Sequence, residues 1–126
     1  MSDHTEHAGE VVYAVLVWVD PVAGRDYLAW LEDGHVREVA AFPGIRWARR
    51  VRLEQRDDDG WLGILVIYGF EDRAALERYR NSDLIRSFAP VYRRFGGTFR
   101  VTRFFGPVEE FVGLDALAGR PCEDEP

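Results

Sequence analysis

His35 is the only histidine between residues 11 and 106, and imidazole is the side chain whose charge changes nearest neutral pH. It is read either as a general acid or base or as a helix-end histidine bonding a backbone carbonyl. Two arginines could accompany it. Arg49 alternates with Trp47 and Val51, and Arg103 with Val101 and Phe105, so each shares a strand face with apolar neighbours. A charge turned inward needs a partner, either a protein carboxylate or the anionic or enolate group of a ligand. Tyr13, Trp18, Trp47, Trp61, Tyr68 and Phe104 either fill core or line an aromatic pocket for a flat hydrophobic ligand. His35, Arg49 and Arg103 are therefore the catalytic candidates, and Tyr13, Trp47 and Tyr68 the ligand-binding candidates.

Other groupings carry less chemistry. Glu38 follows His35 by three residues, but two metal ligands without a third make a weak site, and a solvated helix surface explains the pair as well. His4 and His7 have helical spacing inside a polar N-terminal stretch. Arg46, Arg50, Arg52 and Arg56 form a basic track, yet they precede Asp57, Asp58 and Asp59 and read as the wet face of an edge strand. No glycine-rich phosphate loop, Ser-His-Asp order or nucleotide fingerprint is present. No metal site and no bound organic cofactor are expected.

Composition narrows the classes further. The 126 residues suit one domain, with 47% hydrophobic and 30% charged residues. The net charge of −6 is uneven: residues 107–126 hold six acids against Arg120, while residues 11–106 hold 15 arginines against 13 acids and there is no lysine. Such a balanced body argues against a nucleic-acid footprint. No apolar run is long enough for a membrane span, and the start, MSDHTEHAGE, lacks the pattern of a signal peptide. The single cysteine, Cys122, permits neither an internal disulfide nor a CxxC pair. A cytoplasmic setting with no membrane partner is the expectation.

The elements that must position the candidates follow from periodicity. Residues 11–19 (VVYAVLVWV) form an apolar β-branched run, hence a strand. Asp20-Pro21 suits a helix start, and Leu28, Leu31, His35 and Val39 repeat at helical spacing until Phe42-Pro43-Gly44. Residues 45–56 alternate, with Ile45, Trp47, Val51 and Leu53 on one side. Asp59-Gly60 marks a hairpin turn, and residues 61–70 (WLGILVIYGF) are apolar on both faces. A second helical stretch from Glu71 carries Ala75, Leu76 and Tyr79 inward, is broken or re-capped at Asn81-Ser82-Asp83, and ends at Gly96-Gly97. Residues 98–106 are a last strand. The expected layout is a polar, disordered tail over residues 1–10, a domain over 11–106, and an acidic tail over 107–126.

The order β-α-β-β-α-β predicts an α+β ferredoxin-like antiparallel sheet with helices on one face. Strands one and three, two-sided in their apolarity, belong at the centre. Helices on one side leave an apolar face on the other, larger than a monomer tolerates, and a second copy of the chain would cover it as a homodimer. Which strand face meets the helices is left open by this pattern.

The segments WLEDGHVREVAAFPGIRWARR and YGFEDRAALERYRNSDLIRSFAPVYRRFGGTFRVTRF resemble a largely uncharacterised family of small bacterial dimeric α/β-barrel proteins. It is related to the antibiotic-biosynthesis monooxygenase-like superfamily. The points of likeness are Trp30, His35, Pro43-Gly44, Arg49, Tyr79, Phe95-Gly96 and Arg103. The related proteins usually carry a glutamate before the histidine, where this chain has Gly34. The resemblance implies the fold and the dimer. It also implies, more loosely, action on a hydrophobic aromatic or polyketide-like small molecule, as a cofactor-independent monooxygenase, cyclase or isomerase. The alternative it implies is a non-catalytic dimer that binds a small molecule or haem.

Overall fold

The computed structural model describes residues 9–113. The tail assignments over residues 1–8 and 114–126, with His4, His7 and Cys122, lie outside the described residues. Four strands, β1 (Val11–Val19), β2 (Ile45–Arg56), β3 (Leu62–Phe70) and β4 (Phe99–Pro107), form one antiparallel sheet in the order β2-β3-β1-β4. This is the ferredoxin-like arrangement, with β1 and β3 at the centre. Strand β4 runs one residue past the expected boundary, and the Val108 amide donates to the Glu10 carbonyl at 2.9 Å.

Register decides which side chains face the helices. Tyr13 pairs with Tyr68, Val15 with Val66 and Val17 with Ile64, while the same β1 residues pair on the other side with Phe105, Arg103 and Val101. These odd positions of β1 and β4 and even positions of β3 meet Tyr27, Leu31, Val39, Leu76, Tyr79 and Phe88 in the core. Strand β2 departs from strict alternation. Ile45 lies opposite Phe70 but Trp47 lies opposite Gly69, so Arg46 is an inserted bulge residue. Ile45 and Ala48 consequently pack on the helix side, and Trp47, Arg49 and Val51 stand on the opposite face. The expectation that Ile45 and Trp47 share a face is corrected by that one residue.

The first helical stretch is three pieces. Asp20 does not cap a helix directly; its carboxylate accepts from the Val22 and Ala23 amides in a turn, and the helix begins later as α1 (Arg25–Trp30). A widened turn over Leu31–His35 then leads into α2 (Val36–Ala40). Inside that turn Asp33 (φ −93°, ψ 61°) and Gly34 (φ 84°, ψ 1°) leave helical geometry, a conformation a side chain at Gly34 would strain. The second stretch is also segmented. Asp72 caps α3 (Arg73–Arg80) by accepting from the Ala75 amide, and Ser82 re-caps α4 (Asp83–Arg86) through the Ile85 amide. Then α5 (Ala89–Arg94) ends before Gly97, whose φ is 86°. Among the described residues, no helix is long and apolar enough to cross a membrane.

The helix-free face is apolar along the central strands β1 and β3, with Arg49, Arg100 and Thr102 toward its edges. Val12, Ala14, Leu16, Trp18, Leu65 and Ile67 are half-buried there, and Val51 and Phe104 are 42% and 53% exposed. Two glycines of β3 explain how tryptophans lie flat on it. A Cβ at Gly63 would stand 2.6 Å from the Trp18 ring, and one at Gly69 would stand 2.2 Å from the Trp47 ring. Trp47 is fixed further by its Nε1, which donates to the buried carboxylate of Glu10 at 3.0 Å. Arg100 clamps the hairpin by bonding Asp57 and Asp59 while lying 4.1 Å from the Trp61 ring centroid. Replacing Gly69 by alanine is expected to lift Trp47, lengthen its bond to Glu10 and cost about 1–3 kcal/mol. Urea unfolding followed by tryptophan fluorescence checks this, with Gly106→Ala, which meets nothing within 4 Å, as the mild control.

Candidate functional site

Between the sheet and the helices the core does not close completely. A cavity of about 40 Å³ remains, enough for a few water molecules. Its apolar wall is Val15, Val17, Val66 and Val101 from the strands with Leu31, Ile85 and Phe88 from the helical side. Its polar wall is unusual in kind. All five tyrosines of the chain, Tyr13, Tyr27, Tyr68, Tyr79 and Tyr92, line it, together with His35 and Arg103. A larger groove of about 280 Å³ lies outside the Gly34 turn, but Glu32, Gly34, Arg37 and Arg50 around it are all exposed, so it holds nothing away from water.

The tyrosines converge because each sits on an inward position of its element. Tyr13 and Tyr68 face each other across β1 and β3 with rings 6.4 Å apart, and Tyr79 of α3 meets Tyr13 edge-on at 5.9 Å. Tyr27 stacks on Phe99 at 4.1 Å, and Tyr92 meets the same Phe99 at 5.7 Å. Burial raises the pKa of Tyr13, Tyr27, Tyr68 and Tyr79, so these four remain neutral hydroxyl donors at physiological pH. For Tyr13 the Arg103 charge opposes that rise without cancelling it.

Gly34 aims His35. Immediately after the positive-φ turn, the imidazole enters the aromatic layer, 4.3 Å from the Trp30 ring and 4.6 Å from the Phe88 ring, edge-on to the latter. Its Nδ1 is buried with no hydrogen-bond partner, so no backbone carbonyl holds that nitrogen. Burial without a counter-charge lowers the His35 pKa to about 4, and the ring is neutral at pH 7. Arg103, on β4 opposite Val15, places its guanidinium over the Tyr92 ring at 5.7 Å and donates to the Tyr92 hydroxyl at 3.4 Å.

Of the six candidates read from the sequence, His35, Arg103, Tyr13 and Tyr68 meet at this cavity. Arg49 and Trp47 do not; the bulge at Arg46 leaves them on the helix-free face, where the Arg49 guanidinium lies 5.5 Å from the Trp47 ring. Arg49 is thus turned away from the enclosed side that its apolar neighbours suggested. Trp18, Trp61 and Phe104 are likewise absent from the cavity wall. Tyr27, Tyr79 and Tyr92 were missed as site residues, although the inner stripes of both helical stretches carry them. Among the described residues no group of three or more His, Cys, Asp or Glu side chains could hold a metal ion, and Glu38 contributes nothing to the cavity.

The family model described as "Domain of unknown function (DUF4286)" matches residues 10–104. The chain belongs to this family. No curated protein matches the sequence significantly. Solved structures share the fold. A dimeric ferredoxin-like protein from an uncultured marine organism is 17% identical, with a TM-score of 0.63, over 82% of this chain and 98% of that one. SnoaB, a cofactor-independent oxygenase from Streptomyces nogalater, is 19% identical, with a TM-score of 0.55, over 83% and 98%. MhuD, a haem degrader from Mycobacterium tuberculosis solved with two haems in its active site, is 19% identical, with a TM-score of 0.57, over 82% and 99%. Family and fold agree with the resemblance carried by Trp30, His35 and Arg103.

The neutral His35 makes stability depend on pH in one direction. Its folded pKa, about 4, lies below the ordinary 6.5 of an unfolded histidine. Between those values the unfolded chain binds more protons. The stability that the neutral ring contributes is present above about pH 6.5 and is lost as pH falls toward 4. Because the ring is only partly buried, the expected loss is on the order of 1–2 kcal/mol. Urea unfolding at pH 7 and pH 5 measures it, and His35→Phe should flatten the difference. An NMR titration placing the His35 midpoint near 6.5 would contradict the assignment.

Proposed function

We propose that the chain acts as a homodimer whose protomers each take a hydrophobic, aromatic or polyketide-like small molecule between sheet and helices. They would transform it without a bound organic cofactor, as a monooxygenase, cyclase or isomerase. The observation that carries this reading is the cavity itself: an imperfectly filled apolar core on which five phenols, one imidazole and one guanidinium converge. Evolution of stability alone favours filling such a space with hydrocarbon. The similarity to SnoaB supports the reaction class.

In this reading His35 is the base. Its neutral ring accepts a proton from an acidic O–H or C–H of the ligand, and the negative charge left on the ligand is held by the Arg103 guanidinium. The new anion in turn raises the proton affinity of the imidazole, offsetting what burial takes away. Shape-fitting of the flat ligand against the tyrosine rings orients it.

The cavity is smaller than the roughly 300–1,000 Å³ of sites for such ligands, so admission requires the helical layer to move outward. The segmentation of that layer supports such a movement. The breaks at Asp33–Gly34, at Asn81–Ser82 and before Phe88 divide it into segments of four to eight residues.

The dimer reading rests on the helix-free face. Its half-buried aliphatic side chains, with exposed Val51 and Phe104, form the kind of patch that closes against its own copy. The dimeric marine protein of the same fold supports that closure.

Two measurements test these statements. Sedimentation is expected to give twice the 14.5 kDa chain mass, and Leu16→Asp, at the centre of the open face, is expected to return it to the monomer mass. A monomeric wild-type chain at micromolar concentration would defeat the dimer. Aerobic incubation with a panel of reduced polycyclic phenols, read by dioxygen uptake and product mass, is expected to show turnover that His35→Ala reduces by about 10²–10⁴-fold. Binding without turnover would favour the non-catalytic alternative, and a haem titration read by visible absorption separates its haem-binding form.

A further inference from the structure

The groups facing the cavity are unbalanced in what they can offer a ligand. Tyr13, Tyr27, Tyr68, Tyr79 and Tyr92 bring hydroxyls and Arg103 brings a guanidinium, while no carboxylate lines the space. Arg103, an exposed residue, finds no carboxylate partner among the described residues. Its hydrogen bond goes to the Tyr92 hydroxyl at 3.4 Å, and its charge opposes the rise in the Tyr13 pKa. Neighbouring arginines are treated differently: Arg73 pairs with Glu77 at 3.0 Å, and Arg80 pairs with the same carboxylate at 3.5 Å. Arg73 and Arg80 also flank Phe105, at 5.1 and 4.7 Å, on the β4 side of the same helix-facing surface.

A neutral hydrocarbon in this space would leave the donors unanswered, and a cationic ligand would oppose Arg103. An oxyanion answers both problems. Its lone pairs accept from the tyrosine hydroxyls and its charge faces the guanidinium, a charge-assisted pairing stronger than a neutral one. The one guanidinium on this wall, beside neutral tyrosine hydroxyls, matches a single negative charge.

Resting on the cavity being a small-molecule site, we infer that its occupant is a monoanion: a flat apolar body bearing one carboxylate or one ionised phenol or enol, its oxygen set between Arg103 and the hydroxyls of Tyr13 and Tyr92. Arg103 is then the specificity residue. Tyr92 is a positioning residue that keeps the guanidinium over the cavity.

Titration of the full chain with four probes, read by calorimetry and by NMR shifts of cavity residues, tests this. The probes are naphthoate, dinitronaphthol (ionised at neutral pH), neutral naphthamide and the cation naphthylmethylammonium. At least one anion is expected to bind about 10-fold or more tightly than naphthamide, with the cation weakest. Preference for naphthoate alone identifies carboxylic acids as the source, and preference for dinitronaphtholate alone identifies phenols or enols. Arg103→Gln is expected to bring the preferred anion down to the naphthamide level, and Arg103→Lys to restore part of the difference. Tyr92→Phe is expected to weaken the anion selectively, in a chain whose urea midpoint shows it folded. Equal binding of naphthoate, dinitronaphtholate and naphthamide would overturn the charge assignment while leaving the cavity reading intact. A preference surviving in Arg103→Gln would overturn the role of Arg103. Failure of all four probes to shift any cavity resonance would overturn the cavity reading and this inference together.

Discussion

Covering an antiparallel sheet on both faces is the constraint from which the rest of this molecule follows. Strands β1 and β3 are apolar at odd and even positions alike, so each face removed from water contributes roughly 25 cal/mol per Å². The two crossovers β1–β2 and β3–β4 are long enough for helices, and both carry them to the same side. One face is therefore closed within the chain, and the other is left with Val12, Leu16, Leu65 and Ile67 only half-buried. Glycine placement sharpens the contrast. Gly63 and Gly69 lower the profile of β3 so that Trp18 and Trp47 lie flat, which makes the open face smoother and better suited to pairing.

The enclosed face is made differently. Tyrosine is a large apolar body with a polar tip, and five of them directed to one place cannot pack as hydrocarbon does. A cavity is left among them, between β1, β3, β4 and the helices. Segmentation of the helical layer follows from the same sequence. Asp33-Gly34 and Asn81-Ser82-Asp83 each interrupt an otherwise continuous apolar stripe, and in each case the residue after the break, His35 or Leu84, resumes the inward direction. A continuous helix would place the imidazole by period alone, whereas here the positive φ of Gly34 sets it.

The architecture was legible because it rests on patterns that repeat. Two-sided strands, a one-sided β2, the Asp59-Gly60 hairpin and the Gly96-Gly97 stop each state their meaning within ten residues. The helix break at Ser82 was legible for the same reason, since a capping residue between two apolar stripes has few other uses. The sites were less so. Parity along β2 counts residues, and a single inserted residue at Arg46 changes which face every later side chain meets. That is why Arg49 and Trp47 read as inward and stand outward, while Arg103, on a strand without a bulge, stands where its parity puts it. Tyr79 was readable as core, but its convergence with Tyr27 and Tyr92 was not, because convergence from three separate elements is a property of the packed chain.

The two faces differ in how their polar groups are satisfied. On the open side two polar groups are answered by carboxylates: Trp47 by Glu10, and Arg100 by Asp57 and Asp59. On the enclosed side the answers are missing. The His35 Nδ1 is buried and unpartnered, the space beside it is unfilled, and a turn after Glu32 gives up helical hydrogen bonding to aim the ring. Each such feature costs about 1–3 kcal/mol where it stands. A sheet held together independently by its tryptophan-over-glycine contacts and its charged clamp tolerates those costs, because the strands keep Tyr13, Tyr68 and Arg103 in register whatever the helices do. In the proposed function the helical layer is the weaker layer, the one that would open over a ligand while the strands keep Arg103 in place.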